Sequence, residues 1–489
     1  MLNRDGIRLQ DVLHVEDDAS LCEFTCERSG MLLWPLVRTA FLRAILSDLL
    51  YGETGFAAAG KSVASADGVS TLLRSVVHNR LHGGLRGEVC LMTTALGHIQ
   101  RDGKVFNRLS DYFAQSLPEH TLVLEEQHDW RWPFPRHFER VLLHSPTAVQ
   151  AALAGRVLVR ERHRRRADAL ISLVCARAHE RLGWTPGPAR RAAMVDALAR
   201  RIAQAPSGFD HYRRMFSRLG VRLLVKEDGC YGSSAVALAA AHSLGIATAE
   251  HQHGAVSAGH DAYNVAPAMA RSAAYRMTLP QHFLGYGSWW MEQMSVPVQK
   301  IAIGNPHRTE QLAARPVPAD AARTDILVLG DGVETQLYLD LVRQLVPVGK
   351  RLGLRVVFRP HPMERRNVAA SDGQPFTVDT QPDIYASFER AHAVVSEVST
   401  GLFEAVGLAQ RVVMWETPKA RFSFPAHTFE TFTDAEQLGA VLESPSRRPL
   451  TPEAVERTWA PGWKANYTRF VERALAGRLA PAAAEGAHA

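Results

Sequence analysis

The sequence predicts an α/β protein built from two tandem doubly wound domains that face a cleft, with a helical insertion in the first. Three observations predict it. Short apolar runs recur before glycine-bearing loops and helices, the mark of a parallel sheet. The rhythm breaks over residues 306–324, "PHRTEQLAARPVPADAART", which has no periodic core pattern. It then resumes at "DILVLGDG" (325–332). The chain has 489 residues, enough for two or three domains.

The elements follow in order. Residues 31–50 read as an amphipathic helix with Leu32, Leu33, Leu36, Val37, Phe41, Leu42 and Leu49 on one side. "GEVCLMTTALG" (87–97) and "HTLVLEEQ" (120–127) read as buried strands, and "RHFERVLLHS" as a third strand or a helix end. Residues 148–218, rich in Ala, Arg and Leu, form the helical insertion. "VRLLVKEDG" is a strand and loop, "SSAVALAAAHSLG" a helix closed by Gly245, and "IATAEHQHG" the next strand and loop. "LGYGSWWMEQM" and "VQKIAIGNPH" continue the pattern. Past the break, "TQLYLDLVRQLVPVGKRLG" is a helix stopped by Gly353, "LRVVFRPHP" a strand, and "HAVVSEVST" and "RVVMWET" two more. Residues 1–310 make the first domain, 311–476 the second, and 477–489 a disordered tail.

Composition narrows the function. The chain is 46% apolar and 22% charged, ordinary for a soluble globular protein. A net charge of +6 argues against a dedicated nucleic-acid binder. Cys22, Cys26, Cys90, Cys175 and Cys230 form no CxxC pair, so reduced thiols and no zinc site are expected. The N-terminus lacks a signal-peptide pattern, and apolar stretches are broken by arginines, so a cytoplasmic protein is expected. The basic run Arg160–Arg166 reads by default as a solvated helix face. As a stripe it would meet an anionic polymer or the inner membrane surface. The aromatics of "WRWPFP" (130–135) read as packing.

The polar clusters fall at strand ends, where open parallel sheets bind ligands. In the second domain Gly330, Asp331 and Gly332 form a turn whose backbone can approach a phosphate. "RPHP" places Arg359 and His361 beside an anion, with His361 stiffened by Pro360 and Pro362. "SEVSTGLFEAVGL" (396–408) offers Ser396, Ser399 and Thr400 at a helix start and Glu404 one turn in, suited to phosphate and ribose. In the first domain Glu227 and Asp228 precede a glycine and are candidate bases. "AEHQHGAVSAGHDAY" (249–263) holds His251, Gln252, His253, Gly254 and His260. With only Asp261 to complete a ligand set, a polar pocket lining is expected there rather than a metal.

Glu227–Asp228–Gly229, His361–Pro362 and Ser399–Thr400, in that order, resemble the acid-acid-Gly, HP and Ser-Ser/Thr motifs of bacterial sialyltransferases and polysialyltransferases of GT-B fold. "RPHP" and "STGLFEA" also resemble capsule Kdo transferases. The first-domain His-Gly pair with the second-domain HP resembles CDP-glycerol glycerophosphotransferases. The resemblance covers mainly residues 220–420. It implies an inverting, metal-independent transferase with a CMP-activated sugar as donor, a glycan or lipid-linked glycan as acceptor, and no cofactor. It implies Glu227 as base, with Asp228 as fallback, and His253 as base on the glycerophosphotransferase pattern. His361 would act on the leaving phosphate, and Ser399 and Thr400 would bind it.

Overall fold

The computed structural model describes residues 6–51, 66–315, 323–361, 364–365, 368, 374–381, 383–445 and 451–479. Pro362 and residues 480–489 of the expected tail lie outside the described residues.

The first sheet uses β1 (Val89–Thr94), β4 (Thr121–Glu126), β5 (Val141–Leu143), β6 (Leu223–Lys226), β7 (Ala247–His251), β8 (His282–Gly285) and β9 (Gln299–Ala302). A hairpin, β2 (His98–Arg101) with β3 (Lys104–Asn107), projects after β1. The strand order is β5-β4-β1-β6-β7-β8-β9, parallel throughout. The second sheet holds β10 (Asp325–Leu329), β11 (Arg355–Arg359), β12 (Thr377–Val378), β13 (Ala391–Ser396), β14 (Arg411–Trp415) and β15 (Glu430–Phe432). Its order is β12-β11-β10-β13-β14-β15, again parallel. The protein is therefore α/β with two tandem Rossmann-like sheets. Largely apolar runs with helices on both faces give buried strands: every residue of β6 and β10 is buried, and all of β1 but Thr94.

The insertion is three helices, Ser145–Val157, Glu161–Leu182 and Pro188–Leu219. Gly183 and Gly220, both with positive φ, close the second and third.

Several elements differ from the sequence reading. The helix expected over 31–50 starts at Pro35, because proline suits a first turn and not an interior. The helix is not simply amphipathic, since Arg38 is buried and pairs with buried Glu16 at 2.6 Å. Glu16 also accepts from Trp34 Nε1 at 2.6 Å and from Ala266 N at 3.2 Å. The expected linker begins as a helix, Pro306–Ala313, whose Asn305 side chain caps Arg308 N. The C-terminal helix Trp463–Leu475 belongs to the second domain by sequence order but packs on the first. Its Trp463, Tyr467, Phe470 and Val471 join a core with Val89, Leu223 and Ala249.

The carboxyl ends of both sheets face one another and touch. Trp289 and Trp290, after β8, pack at a tilt against Phe403 of the second domain, with ring centroids 5.0 and 4.5 Å apart. Gly259 N donates to Ser423 O at 3.3 Å. Among the described residues, no helix is long and apolar enough to cross a membrane.

Candidate functional site

In the second domain the two strand-end motifs interlock. Gly332 has φ +77°, and a Cβ there would lie 2.8 Å from His361 Nδ1. The glycine turn is thus the seat of the histidine ring. At Gly330 a Cβ would fall 2.1 Å from Glu364 Oε1. Glu364 in turn accepts from His361 N at 2.7 Å and from the Thr335 hydroxyl. Burial holds the His361 ring below the usual histidine range; Arg365 and Arg108 act the same way and Asp331 opposes them. A neutral imidazole that donates one N–H follows.

Asp331 is structural as well as local. Its Oδ1 accepts from Val333 N at 2.8 Å and Glu334 N at 3.1 Å, and its Oδ2 meets Lys419 Nζ at 2.6 Å. Lys419 also reaches Glu334 at 2.8 Å and Glu397 at 2.9 Å, tying together the ends of β10, β13 and β14. Lys419 and Glu397 were not singled out from the sequence.

Other expected donor residues are committed elsewhere. Arg359 is buried and bonds Asp379 at 2.8 Å and Ser387 Oγ at 3.2 Å, so it faces a carboxylate of its own domain rather than a ligand anion. Ser396 is fully buried and donates to Leu329 O at 2.9 Å, a strand-to-strand tie. Ser399 Oγ accepts from Gly401 N at 3.2 Å, the plain capping role. Glu404 is buried and accepts from Tyr385 OH at 2.7 Å. Only Thr400 reaches across, its Oγ1 lying 3.8 Å from where a Cβ of Gly254 would be.

In the first domain, Glu227 is buried against β1. It accepts from the Thr93 hydroxyl, from Thr94 N at 2.9 Å and from Thr94 Oγ1 at 3.1 Å. Burial alone raises its carboxyl, but His253, His251, Thr93 and Lys226 outweigh that and hold it below the usual range. The candidate base is thus a hydrogen-bonded carboxylate held in its weakly basic, ionised form. Asp228, with φ +56°, pairs with Lys226.

The histidines separate because β7 ends at His251. His251 packs on Phe113, centroids 5.8 Å apart, with both ring nitrogens buried and without a hydrogen-bond partner. Burial lowers it to about 4. Gln252 is a strut, accepting from Tyr286 N at 2.7 Å and donating to Gly254 O at 2.8 Å. His260 bonds Tyr231 OH at 3.0 Å and accepts from Ala262 N at 3.2 Å, and burial lowers it to about 4. His253 stands apart: it is partly exposed and its Nδ1 is 3.8 Å from Glu250 Oε1. Glu250, not foreseen, is fully buried, held by Cys230 N at 2.8 Å and Tyr263 OH at 2.7 Å, and raised by burial. A carboxylate inside an apolar strand was the available signal.

Arg108 was also missed. It follows the hairpin, is half-buried and has no carboxylate partner among the described residues. Its charge acts on Tyr286 and His307 of the first domain and on Tyr385 and His361 of the second. It is therefore a cation within electrostatic reach of both domains, whereas the cation expected from the sequence, Arg359, was placed at a strand end of the second domain. Among the described residues no group of three or more His, Cys, Asp or Glu side chains has the geometry of a metal site.

No protein-family model and no curated protein matches the chain. Among solved structures, it is similar to the UDP-GlcNAc 2-epimerase of Methanocaldococcus jannaschii, at 10% identity over 80% of this chain and 99% of that one, TM-score 0.44. It is also similar to an H548A form of the wall teichoic acid polymerase TagF, at 10% identity over 85% of this chain and 98% of that one, TM-score 0.43. A UDP-GlcNAc 2-epimerase of Neisseria meningitidis bound to UDP-GlcNAc gives 12% identity over 79% and 99%, TM-score 0.38.

Proposed function

We propose that the chain is a GT-B nucleotide-sugar-dependent glycosyltransferase that transfers a sugar, with inversion, to a hydroxyl of a bacterial surface glycan. The donor is a CMP-activated acidic sugar of the sialic acid or Kdo type; the acceptor is a glycan or lipid-linked glycan. The reading needs no cofactor, no metal and no nucleic acid, and it places the work in the cytoplasm. The observation that carries it is the approach of Gly254, next to His253, to Thr400 between the strand ends of the two sheets, together with the Arg108 charge acting on the seated His361.

The chemistry follows from these residues. His253 takes the proton of the acceptor hydroxyl, and Glu250 behind it holds the resulting imidazolium. The oxygen attacks the anomeric carbon from the face opposite the nucleotide. The bond to the nucleotide phosphate breaks, and its electron pair leaves with the phosphate. Arg108 and the neutral N–H of His361 stabilise that charge without reorganising. One observation favours a second reading, a CDP-glycerol-type phosphotransferase: the better base is a histidine and not Glu227.

Nucleotide release from CMP-sialic acid, CMP-Kdo, CDP-glycerol and UDP-sugars separates these readings. Release from a CMP-sugar supports the first and release from CDP-glycerol alone supports the second. Release from a UDP-sugar alone sinks the donor assignment. Binding without release from any of them marks a non-catalytic nucleotide-sugar-binding subunit. With the active donor, His253→Ala should lose about 10²–10⁴-fold in turnover, while Glu227→Gln keeps most of it. The reverse order returns the base to Glu227.

A further inference from the structure

The helix Ala66–Leu81 is packed inside out. Thr71 and Ser75 are buried against the sheet edge. Ser75 Oγ donates to Gln127 Oε1 at 2.9 Å, and Asn79 donates from Nδ2 to Leu143 O at 2.8 Å and accepts at Oδ1 from Leu143 N at 2.9 Å. A ring nitrogen of His78 lies 2.9 Å from Val141 O. The outward face carries Val69, Leu73, Val77 and Leu81, each four residues from the next and 47, 62, 55 and 78% exposed. A surface helix of a globular protein ordinarily shows the opposite arrangement. The adjacent helix Ser145–Val157 exposes Leu153 and Val157, and Leu158 follows it. Six of the nine exposed large hydrophobic residues among the described residues thus lie on two touching helices, and a seventh, Leu158, directly follows one of them. Scattered apolar residues need no explanation, but a contiguous patch marks an interaction site.

Its rim is positive. Arg74, Arg80 and Arg156 stand on the same two helices, and Arg160 and Arg162 follow Leu158. Arg80, Arg156, Arg160 and Arg162 are exposed and have no carboxylate partner among the described residues. Asp67 and Glu161 are the only acids on these stretches.

We propose that this face docks on an anionic lipid bilayer. The Val/Leu stripe enters the boundary between headgroups and acyl chains, and the arginines meet lipid phosphates. Charge decides between this occupant and a second copy of the chain. A twofold interface sets the same patch against itself, arginine facing arginine; a bilayer supplies the opposite charge. The Val69 end also lies toward the carboxyl edge of the sheet, because the helix runs against β5, from Gln127 beyond β4 back to Val141. β7, which leads to His253, is four strands further in, roughly 19 Å at ordinary strand spacing. A headgroup-linked acceptor would be held on the same end of the sheet as the candidate site. The docking itself does not depend on the donor assignment.

Flotation of the full chain with phosphatidylglycerol-containing and with pure phosphatidylcholine vesicles tests it, beside light scattering and thermal melting. The wild type should float with the anionic vesicles at low salt and be released by high salt. Leu73→Glu/Val77→Glu and, separately, Leu153→Glu/Val157→Glu should each cut the bound fraction about tenfold or more, with melting temperature unchanged. Failure of the wild type to bind anionic vesicles overturns the proposal, as does wild-type binding by both variants. A dimer that the variants dissolve, with no vesicle binding, assigns the face to a second copy.

Discussion

Gly332→Ala tests whether the turn after β10 and the histidine after β11 form one unit. A Cβ at residue 332 would lie 2.8 Å from Nδ1 and 3.0 Å from Cγ of His361, on a backbone with φ +77°. The left-handed conformation costs alanine about 1–2 kcal/mol. The close approach adds a second cost, since the ring must leave its seat. A double-mutant cycle separates the two. In a His361→Ala background the ring is gone and only Cβ remains, at 3.3 Å, which a small shift relieves. Gly332→Ala then costs backbone strain alone. A coupling of about 1–2 kcal/mol is expected, within the range for touching residues. Urea unfolding with an unchanged m reads it. Displacing the ring should also lower turnover, on the scale of about 10²-fold for a misplacement near 1 Å. Stability costs that add within about 0.5 kcal/mol would refute the contact. Coupled stabilities with unchanged turnover would refute the role of His361 in the chemistry.

Glu16→Gln leaves the buried Arg38 guanidinium without its counter-charge and should destabilise by about 3–5 kcal/mol in denaturant titration. Arg108→Ala removes a charge-assisted contact worth about 1.5–3 kcal/mol, so calorimetry should show roughly 10–10²-fold weaker binding of the active nucleotide donor with little change in melting temperature. His251 has a folded pKa of about 4, below the ordinary value of about 6.5. The native state stays neutral where the unfolded chain takes a proton. Stability from this group is intact above about pH 6.5 and falls toward pH 4, by roughly 3 kcal/mol. Urea midpoints of His251→Leu across that window should fall less steeply than those of the wild type.

The sheets were legible because buried parallel strands are apolar runs bounded by turn residues, a local signal. β5 was ambiguous because only three residues, Val141–Leu143, join the sheet. The return of Trp463–Leu475 to the first domain was not legible, since which core an amphipathic helix covers is a long-range matter. The site divides the same way. Sequence places a residue at a strand end but not the direction of its side chain. Arg359 and Ser396 turn into their own domain; Gly332 and His361 turn toward each other. The helix Ala66–Leu81 shows the limit most clearly. Its four-residue apolar spacing is visible, but the spacing cannot say that Ser75 and Asn79, not Leu73 and Val77, hold it to the sheet.

The choice of base follows from hydrogen-bond capacity. Glu227 already accepts three hydrogen bonds from Thr93 and Thr94, and each would have to weaken as a proton arrived. Its carboxyl is accordingly held low, which suits a residue that fixes the β1 loop against β6. Glu250 is arranged differently. Tyr263 takes one oxygen and Cys230 N the other, and His253 Nδ1 waits 3.8 Å from the first. Positive charge forming on His253 would meet that carboxylate with about 4 kcal/mol of attraction at an effective dielectric near 20. That gain appears only as the proton transfers, so it lowers the barrier rather than tightening the ground state. On the proposed function, the acid-acid-Gly loop then shapes the wall, and the neighbouring strand end supplies the chemistry.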